Sequence, residues 1–191
     1  LLQAPDQVRG ADLPHLRFIT SSSAPLLVEE WRRFEERFGI AVAQGYGTSE
    51  TGWISGCSDK TRRFGSVGKP MPYHCLTIVD SDGRVCPSGE TGHVEVGGFE
   101  ANAYRYLAED CKTRVNAIGR TRTGDLGVLD AEGYLHIRGR LRETINTGGF
   151  KVFPADVEAV LGRHPAVAEC CVFGVPDAKW GESIKAIVVL K

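Results

Sequence analysis

The sequence predicts an α/β unit that passes into a β-rich, barrel-like subdomain and then into the start of a small α+β unit. Three observations carry this expectation. Residues 16–44 read as strand, helix, strand; from about residue 64 the pattern becomes short strands cut by turn signals; past Arg140 it becomes one helix followed by two strands. The expected boundaries are 1–68, 69–140 and 141–191.

In chain order, LRFIT (16–20) reads as a short buried strand. The stretch SSSAPLLVEEWRRFEERFG then reads as a helix. Pro25 suits its first turn, Leu27, Trp31, Phe34 and Phe38 recur on one face, Glu29, Arg32, Arg33, Glu36 and Arg37 fill the other, and Gly39 stops it. IAVAQ (40–44) follows as a strand, so a parallel pair is expected with ligand sites at the strand C-termini. The Gly-rich stretch QGYGTSETG (44–52) is then expected as a loop at such an end. LTIVDSDG, TGHVEVGG and LGVLDAEGYLHIRGR read as hairpin strands, with Asp82-Gly83 and Glu132-Gly133 at turns. FPADVEAVLGRHP reads as a helix begun at Pro154, and VAECCVFGVPD and IKAIVVLK as two strands.

Among 191 residues, 42% are hydrophobic, enough for a real core. Twenty-three Lys+Arg stand against 24 Asp+Glu, so the basic excess of a nucleic-acid or anionic-membrane binder is missing. The six cysteines form no C-x-x-C pair and no Cys/His cluster with zinc spacing. No apolar run approaches the roughly 18 residues of a membrane span, and no basic-then-apolar leader opens the chain. A cytoplasmic protein with reduced thiols is the expectation. Opening at LLQAPDQ without Met, and stopping inside a β-branched stretch, the chain is expected to be part of a longer one.

Four stretches hold candidate chemistry: SSSAP, GYGTSETG, RTGDLG and GRLRETINTGGFKVFPADVE. Each alone has a plain alternative. A Gly-rich loop with hydroxyls is often only a turn, Asp125 a turn-capping aspartate, Arg140 a surface charge, and Gly148-Gly149 a hairpin turn. Together they supply what a base, a sugar diol and phosphates require. Tyr46 offers an aromatic face, Asp125 an acceptor for two ribose hydroxyls, Arg140 a donor, and Glu50 a carboxylate for Mg²⁺.

The ordered set GYGTSE, GSVGKP (65–70), PSGETGHVEVGG (87–98), RTGDLGVLDAEGYLHIRGR and GGFKVFPADVE resembles the adenylate-forming superfamily of acyl- and aryl-CoA synthetases, nonribosomal adenylation domains and luciferases. The resemblance covers residues 16–191. It implies an incomplete adenylate-forming fold: the end of a large AMP-binding domain and the beginning of its C-terminal domain. It implies also a two-step reaction in which a carboxylic acid and Mg·ATP give an acyl-adenylate and pyrophosphate, and a thiol, usually that of coenzyme A, displaces AMP. By motif position, Tyr46 would stack on adenine, Ser49 contact the α-phosphate, Glu50 bind Mg²⁺, and Asp125, assisted by Arg140, hold the ribose diol. Ser22, Ser23 and Ala24 would form the adenine loop, with Gly45 and Gly47 letting backbone close on the ligand. Arg142 would be the hinge of the rotating C-terminal domain, and Gly148 and Gly149 part of the loop forming the thiol channel.

The sequence departs from the family at three of these points. Ser49 stands for the usual Thr, Arg142-Glu143 for Lys-Asp, and Ser22-Ser23-Ala24 for Gly-Gly-Ala. The family's phosphate loop and its late catalytic lysine, both expected outside residues 1–191, are not in the sequence. TINTGG and FPADVE take the CoA-ligase form, which points to an acyl- or aryl-CoA synthetase of the kind used in fatty acid metabolism. The other readings are an adenylation enzyme loading a carrier protein, a luciferase, and a non-catalytic nucleotide-binding remnant. The acid would lie beside the 44–53 stretch, against Gln44, Gly45 and Thr51 to Trp53, with Gly45 leaving room.

Overall fold

The computed structural model describes residues 9–24, 26–98, 116 and 118–191. Strand β1 (Phe18–Ser21) is followed by helix α1 (Val28–Phe38), β2 (Ala41–Thr48), β3 (Gly52–Gly56) and β4 (Lys69–Pro70). They form one sheet in the order β1-β2-β3-β4, with β1 and β2 parallel and the remainder antiparallel. The expected βαβ start is therefore present. Phe18, however, is 39% exposed, since β1 lies at the edge of this sheet and β2 alone pairs with it among the described residues. Pro25 lies outside the described residues.

Helix α1 forms as its periodicity predicts. Trp31 and Phe38 are buried, and Gly39 ends the helix in the left-handed region with φ 64° while its N–H donates to the Glu35 carbonyl. The apolar stripe does not dock alone. Glu35, one position off the stripe, has Oε1 accepting from Trp31 Nε1 at 2.9 Å and from the Val42 N–H at 2.8 Å. Arg62 adds a two-pronged contact, Nε to Oε1 at 2.9 Å and Nη2 to Oε2 at 2.8 Å. Helix, sheet and the 57–63 loop thus meet on one carboxylate. Led by the Arg62 contact, these bonds pull the Glu35 carboxyl from 4.5 to about 2.

Strands β5 (His74–Val79), β6 (Gly92–Gly98), β7 (Thr121–Leu129) and β8 (Leu135–Arg140) form an antiparallel meander in that order. Among the described residues this sheet is open and carries two register shifts, so the barrel-like subdomain is a bulged sheet that does not close. The Asp82-Gly83 and Glu132-Gly133 turns occur as expected, with Gly83 and Gly133 at φ 82° and 81°. An aspartate two residues earlier organises each. Asp80 Oδ1 accepts from the N–H of Asp82 and Arg84, and Asp130 Oδ1 from those of Glu132 and Tyr134.

Ile54 of β3 is fully buried against Ile78, Val94, Val96 and Leu135 of the meander, with Tyr46, Val67 and Ile137 packed around them. The first sheet and the meander share this core. GSVGKP is the strap between them. Val67 N donates to Leu135 O at 2.9 Å, Leu135 N returns to Gly68 O at 2.8 Å, and Ser55 Oγ bonds Val67 O at 2.9 Å. Gly68 has φ 88°, and a Cβ there would stand 2.1 Å from the Gly56 carbonyl oxygen.

Past Arg140, a single 3-10 turn (Leu141–Glu143) leads to β9 (Ile145–Thr147), β10 (Phe150–Val152), α2 (Pro154–Leu161), β11 (Val167–Asp177) and β12 (Gly181–Leu190). The third sheet is ordered β10-β9-β12-β11. Pro154 opens α2 as expected, and both final strands are present. No described helix is long and apolar enough to cross a membrane. The five described cysteines are free thiols, and Cys111 lies outside the described residues.

Two substitutions test these contacts. Gly68→Ala is expected to lower the unfolding free energy by about 2–4 kcal/mol in urea denaturation, because it combines a left-handed backbone with a backbone clash. Glu35→Gln is expected to lower it by about 2–3 kcal/mol at neutral pH. The native stabilisation from Glu35 is full above 4.5 and lost as the pH falls toward about 2, so the variant's acid unfolding profile is expected to be flatter across that window.

Candidate nucleotide site

QGYGTSETG is not a loop over its whole length. Strand β2 continues to Thr48, the turn is only Ser49-Glu50-Thr51, and β3 begins at Gly52. The glycines make this possible. Gly47 sits at a register shift, where a Cβ would come 2.3 Å from the Gly52 carbonyl oxygen, so only glycine lets the two backbones close there. The turn is held from inside: Thr51 is fully buried and its hydroxyl lies 2.9 Å from that of Thr48. Ser49 is exposed at the apex and Glu50 half-buried beside it.

Tyr46 points from this hairpin toward the meander. Its ring packs against the shared core, and its hydroxyl donates to Asp125 Oδ2 at 2.5 Å. Asp125 is not a turn cap. It lies within β7, directly opposite Arg140 of β8 in the ladder, with Arg140 Nε 3.8 Å from Oδ1. Thr123 sets its orientation: Thr123 Oγ1 accepts from the Asp125 N–H at 3.1 Å and donates to the Val94 carbonyl at 3.1 Å, around Gly124 at φ 85°. Thr123 was not among the expected residues; its signal is the hydroxyl two positions before the aspartate.

The electrostatics follow from burial. Asp125's carboxyl is raised first by desolvation and by the nearby Glu143 and Glu50, against the opposing pull of the Tyr46 hydrogen bond and Arg140. The Tyr46 phenol is driven well above its usual range by desolvation and by the Asp125 charge. It is therefore a protonated donor throughout the physiological range. Glu143 stands between two arginines, 3.9 Å from Arg140 Nη1 and 3.6 Å from Arg142 Nε. A carboxylate held from one side with acceptor positions left, beside an exposed guanidinium, is able to take paired hydroxyls and an anion.

The structure brings Tyr46, Asp125 and Arg140 into direct contact and places Glu50, Glu143 and Arg142 in the same charged neighbourhood. Ser22, Ser23 and Ala24 leave β1 at the end where its parallel partner runs into Gln44 and Gly45, so they stand at the same edge of the sheet. Ser23 has φ 74°, the one non-glycine residue with positive φ among those described, and it stands where the resembled family has glycine. Such a backbone costs about 1–2 kcal/mol for a residue with a Cβ. Gly148 and Gly149, at φ 57° and 85°, turn the β9–β10 hairpin. The Gly148 N–H bonds the Trp180 carbonyl at 2.8 Å, and among the described residues no hydrogen bond or ion pair joins this turn to Tyr46 or Asp125. A groove of about 330 Å³ lined by Leu76, Cys86 and Leu129 lies elsewhere, roughly 13 Å along β7 from Asp125.

No group of three or more metal-ligating side chains occurs among the described residues. Mg²⁺ is commonly held by one or two carboxylates together with substrate phosphates, so a single half-buried Glu50 at a turn apex fits such an ion.

The family described as AMP-binding enzyme matches residues 1–107, and that of the AMP-binding enzyme C-terminal domain matches residues 156–191. The chain is 38% identical over 180 residues to a sulfoacetate–CoA ligase of Cupriavidus necator, covering 92% of this chain and 35% of that protein. ATP-bound MatB from Rhodopseudomonas palustris superposes with a TM-score of 0.93 at 35% identity, over 100% of this chain and 38% of that one. The apo form of the same protein superposes with a TM-score of 0.78 at the same identity and the same coverage, 100% and 38%. The chain thus spans about a third of the length of these relatives. With the first match extending over more than half of its residues, this chain belongs to the AMP-binding enzyme family.

Proposed function

We propose that this chain forms part of an ATP-dependent carboxylic acid:CoA ligase, which makes an acyl-adenylate and releases pyrophosphate and then AMP. The observation that carries this is the Tyr46–Asp125–Arg140 contact at the end of a sheet, in a chain whose relative is a CoA ligase. Phosphoryl-group chemistry of this kind depends on positioning and charge neutralisation, and the residues here suit both.

In this reading Asp125 accepts the two ribose hydroxyls on the lone pairs that Tyr46 leaves open, and Tyr46 keeps the carboxylate from rotating. Arg140, anchored opposite in the ladder, donates to ribose or phosphate oxygen. Tyr46 and the Ser22-Ser23-Ala24 segment frame the base. Ser49, exposed at the apex, donates to the α-phosphate. Mg²⁺, when bound at Glu50, supplies neutralisation of phosphate charge. Arg142 lies in the single turn between the two units and acts as the hinge, and Gly148-Gly149 borders the path of the coenzyme A thiol. The boundaries at 68 and 140 follow from the same assignment. The higher similarity to an ATP-bound relative than to its apo form supports an arrangement of the units suited to adenylation. A cytoplasmic location and a part in fatty acid metabolism accord with it.

Two outcomes are expected. Asp125→Asn, in the protein containing this segment together with the remaining two-thirds found in its relatives, is expected to weaken ATP binding about 10–100-fold by calorimetry, as befits loss of a charged acceptor for a diol. Unchanged affinity sinks the ribose assignment. The 191-residue chain by itself is expected to show no acid-dependent ATP–pyrophosphate exchange. Robust exchange would show that the chain holds the whole catalytic apparatus.

A further inference from the structure

The two sides of the β2–β3 hairpin differ. On one, the Trp53 indole fills the room expected beside Gly45, where a Cβ would stand 2.1 Å from Trp53 Cζ2. On the other, where Tyr46 meets Asp125, charge collects. Among the described residues three acids gather there about two bases: Asp125, with Glu143 and Glu50 whose charges reach it, against Arg140 and Arg142. The acids are not equally fixed. Asp125 stands in a β-ladder with its side chain 13% exposed, whereas Glu143 closes a single 3-10 turn and is 55% exposed.

That turn is what brings Glu143 to Arg140. Arg140 is the residue before it and Glu143 its last, and the 3-10 period stacks side chains at i and i+3. Glu143 Oε1 stands 3.9 Å from Arg140 Nη1 and 3.6 Å from Arg142 Nε. Both separations exceed hydrogen-bond length, so charge alone holds the carboxylate. Arg140 turns Nε to Asp125 and Nη1 to Glu143, and a phosphate oxygen taken up at Nη1 must displace Glu143. Arg142 gives the displaced carboxylate a place to go, since Glu143 is its one ion-pair partner among the described residues. Asp125 and Arg140 precede Arg142 in the chain, and Glu143 follows it, so a turn at Arg142 withdraws Glu143 and leaves the other two paired.

We propose, on the basis of the nucleotide reading above, that Glu143 is a displaceable counter-ion of Arg140, which holds the guanidinium while the site is empty and competes with the nucleotide phosphate for it. Phosphate and Glu143 then exclude each other at Arg140. By linkage, a bound phosphate favours the arrangement in which Glu143 is withdrawn by the same factor as that arrangement tightens the phosphate. The pair is exposed, so the effect is small and sensitive to salt. The test measures binding of adenosine, AMP and ATP to the full-length protein by calorimetry. Glu143→Gln keeps the shape of the side chain and removes its charge. At low salt the variant is expected to bind AMP about 2–5-fold more tightly than wild type and adenosine, which has no phosphate, equally well. The gain is expected to vanish in ~1 M salt and in an Arg140→Ala background. Unchanged or weaker AMP binding by Glu143→Gln overturns the proposal, since a side chain that merely positioned Arg140 would lower affinity when lost. An equal gain for adenosine, or a gain that persists without Arg140, overturns it too, and each of these leaves the nucleotide reading standing. Wild type that binds neither AMP nor ATP overturns the nucleotide reading and the proposal with it.

Discussion

The approach of Gly68 to Gly56, too close for any side chain at Gly68, is the constraint on which the rest of the structure hangs. It lets the 66–68 strap lie between β3 and β8 and bond to both, through Ser55 on one side and Leu135 on the other. Ile54 is thereby pressed into the face of the meander, and the core becomes common to two sheets. Tyr46, eight residues earlier on the neighbouring strand, is carried to Asp125, 79 positions later in the chain. A loose strap would leave each sheet intact and separate the phenol from the carboxylate. Site geometry here is a consequence of how two sheets dock, and neither sheet alone contains it.

Around that contact, carboxylates do the local organising. Glu35 collects a helix, a strand and a loop on two oxygens. Asp130 holds its own turn through two backbone N–H groups while Oδ2 takes Arg63 at 2.8 Å and His136 at 3.1 Å, so the β7–β8 turn is tied to the segment leading into the strap. With so many partners on one group, the Asp130 carboxyl falls far below its usual range despite the desolvation that opposes them. Asp125 differs in kind. Burial outweighs its partners and raises it, the sign of a carboxylate that has fewer donors than its surroundings call for.

What the sequence made legible was whatever depends on neighbours in the chain. Helix α1 with its Gly39 stop, the Pro154 start of α2, the two Gly-centred turns and the final strand pair follow from periodicity and local backbone preference, and all are present. Long-range pairing was less legible. QGYGTSETG resembles a loop because Gly, Ser and Thr are turn formers, yet five of its residues are in β2, since pairing with β3 and the bulge at Gly47 accommodate the glycines in a ladder. The run of hairpins pointed to a barrel-like or sheet subdomain without deciding between them, because a hairpin series specifies neighbours and leaves the ends unconstrained. Glu35 and Thr123 escaped because neither breaks a pattern: each looks like an ordinary surface residue until its partners arrive from elsewhere in the chain.

The junction after Arg140 shows how the hinge proposed at Arg142 would leave the Tyr46–Asp125–Arg140 contact in place. Asp125 and Arg140 face each other across a β-ladder, so their separation is set by backbone pairing within one sheet. Arg142 lies two residues on, in a single 3-10 turn, and its recorded ion pair is local, to Glu143 at 3.6 Å. That pair is solvent-exposed, with the arginine side chain 75% accessible, and so worth little. The next buried residues are Thr144, whose hydroxyl donates to the Arg140 carbonyl at 3.3 Å, and Ile145 of the third sheet. Between Arg140 and Ile145 the chain has few contacts to lose, and a change of backbone angle at Arg142 would move everything beyond it. The Arg138–Asp156 ion pair, at 3.8 Å between exposed groups, offers only weak opposition to such a turn. Rotation there would carry Gly148 and its Trp180 partner as one body while the Asp125 carboxylate stayed in place.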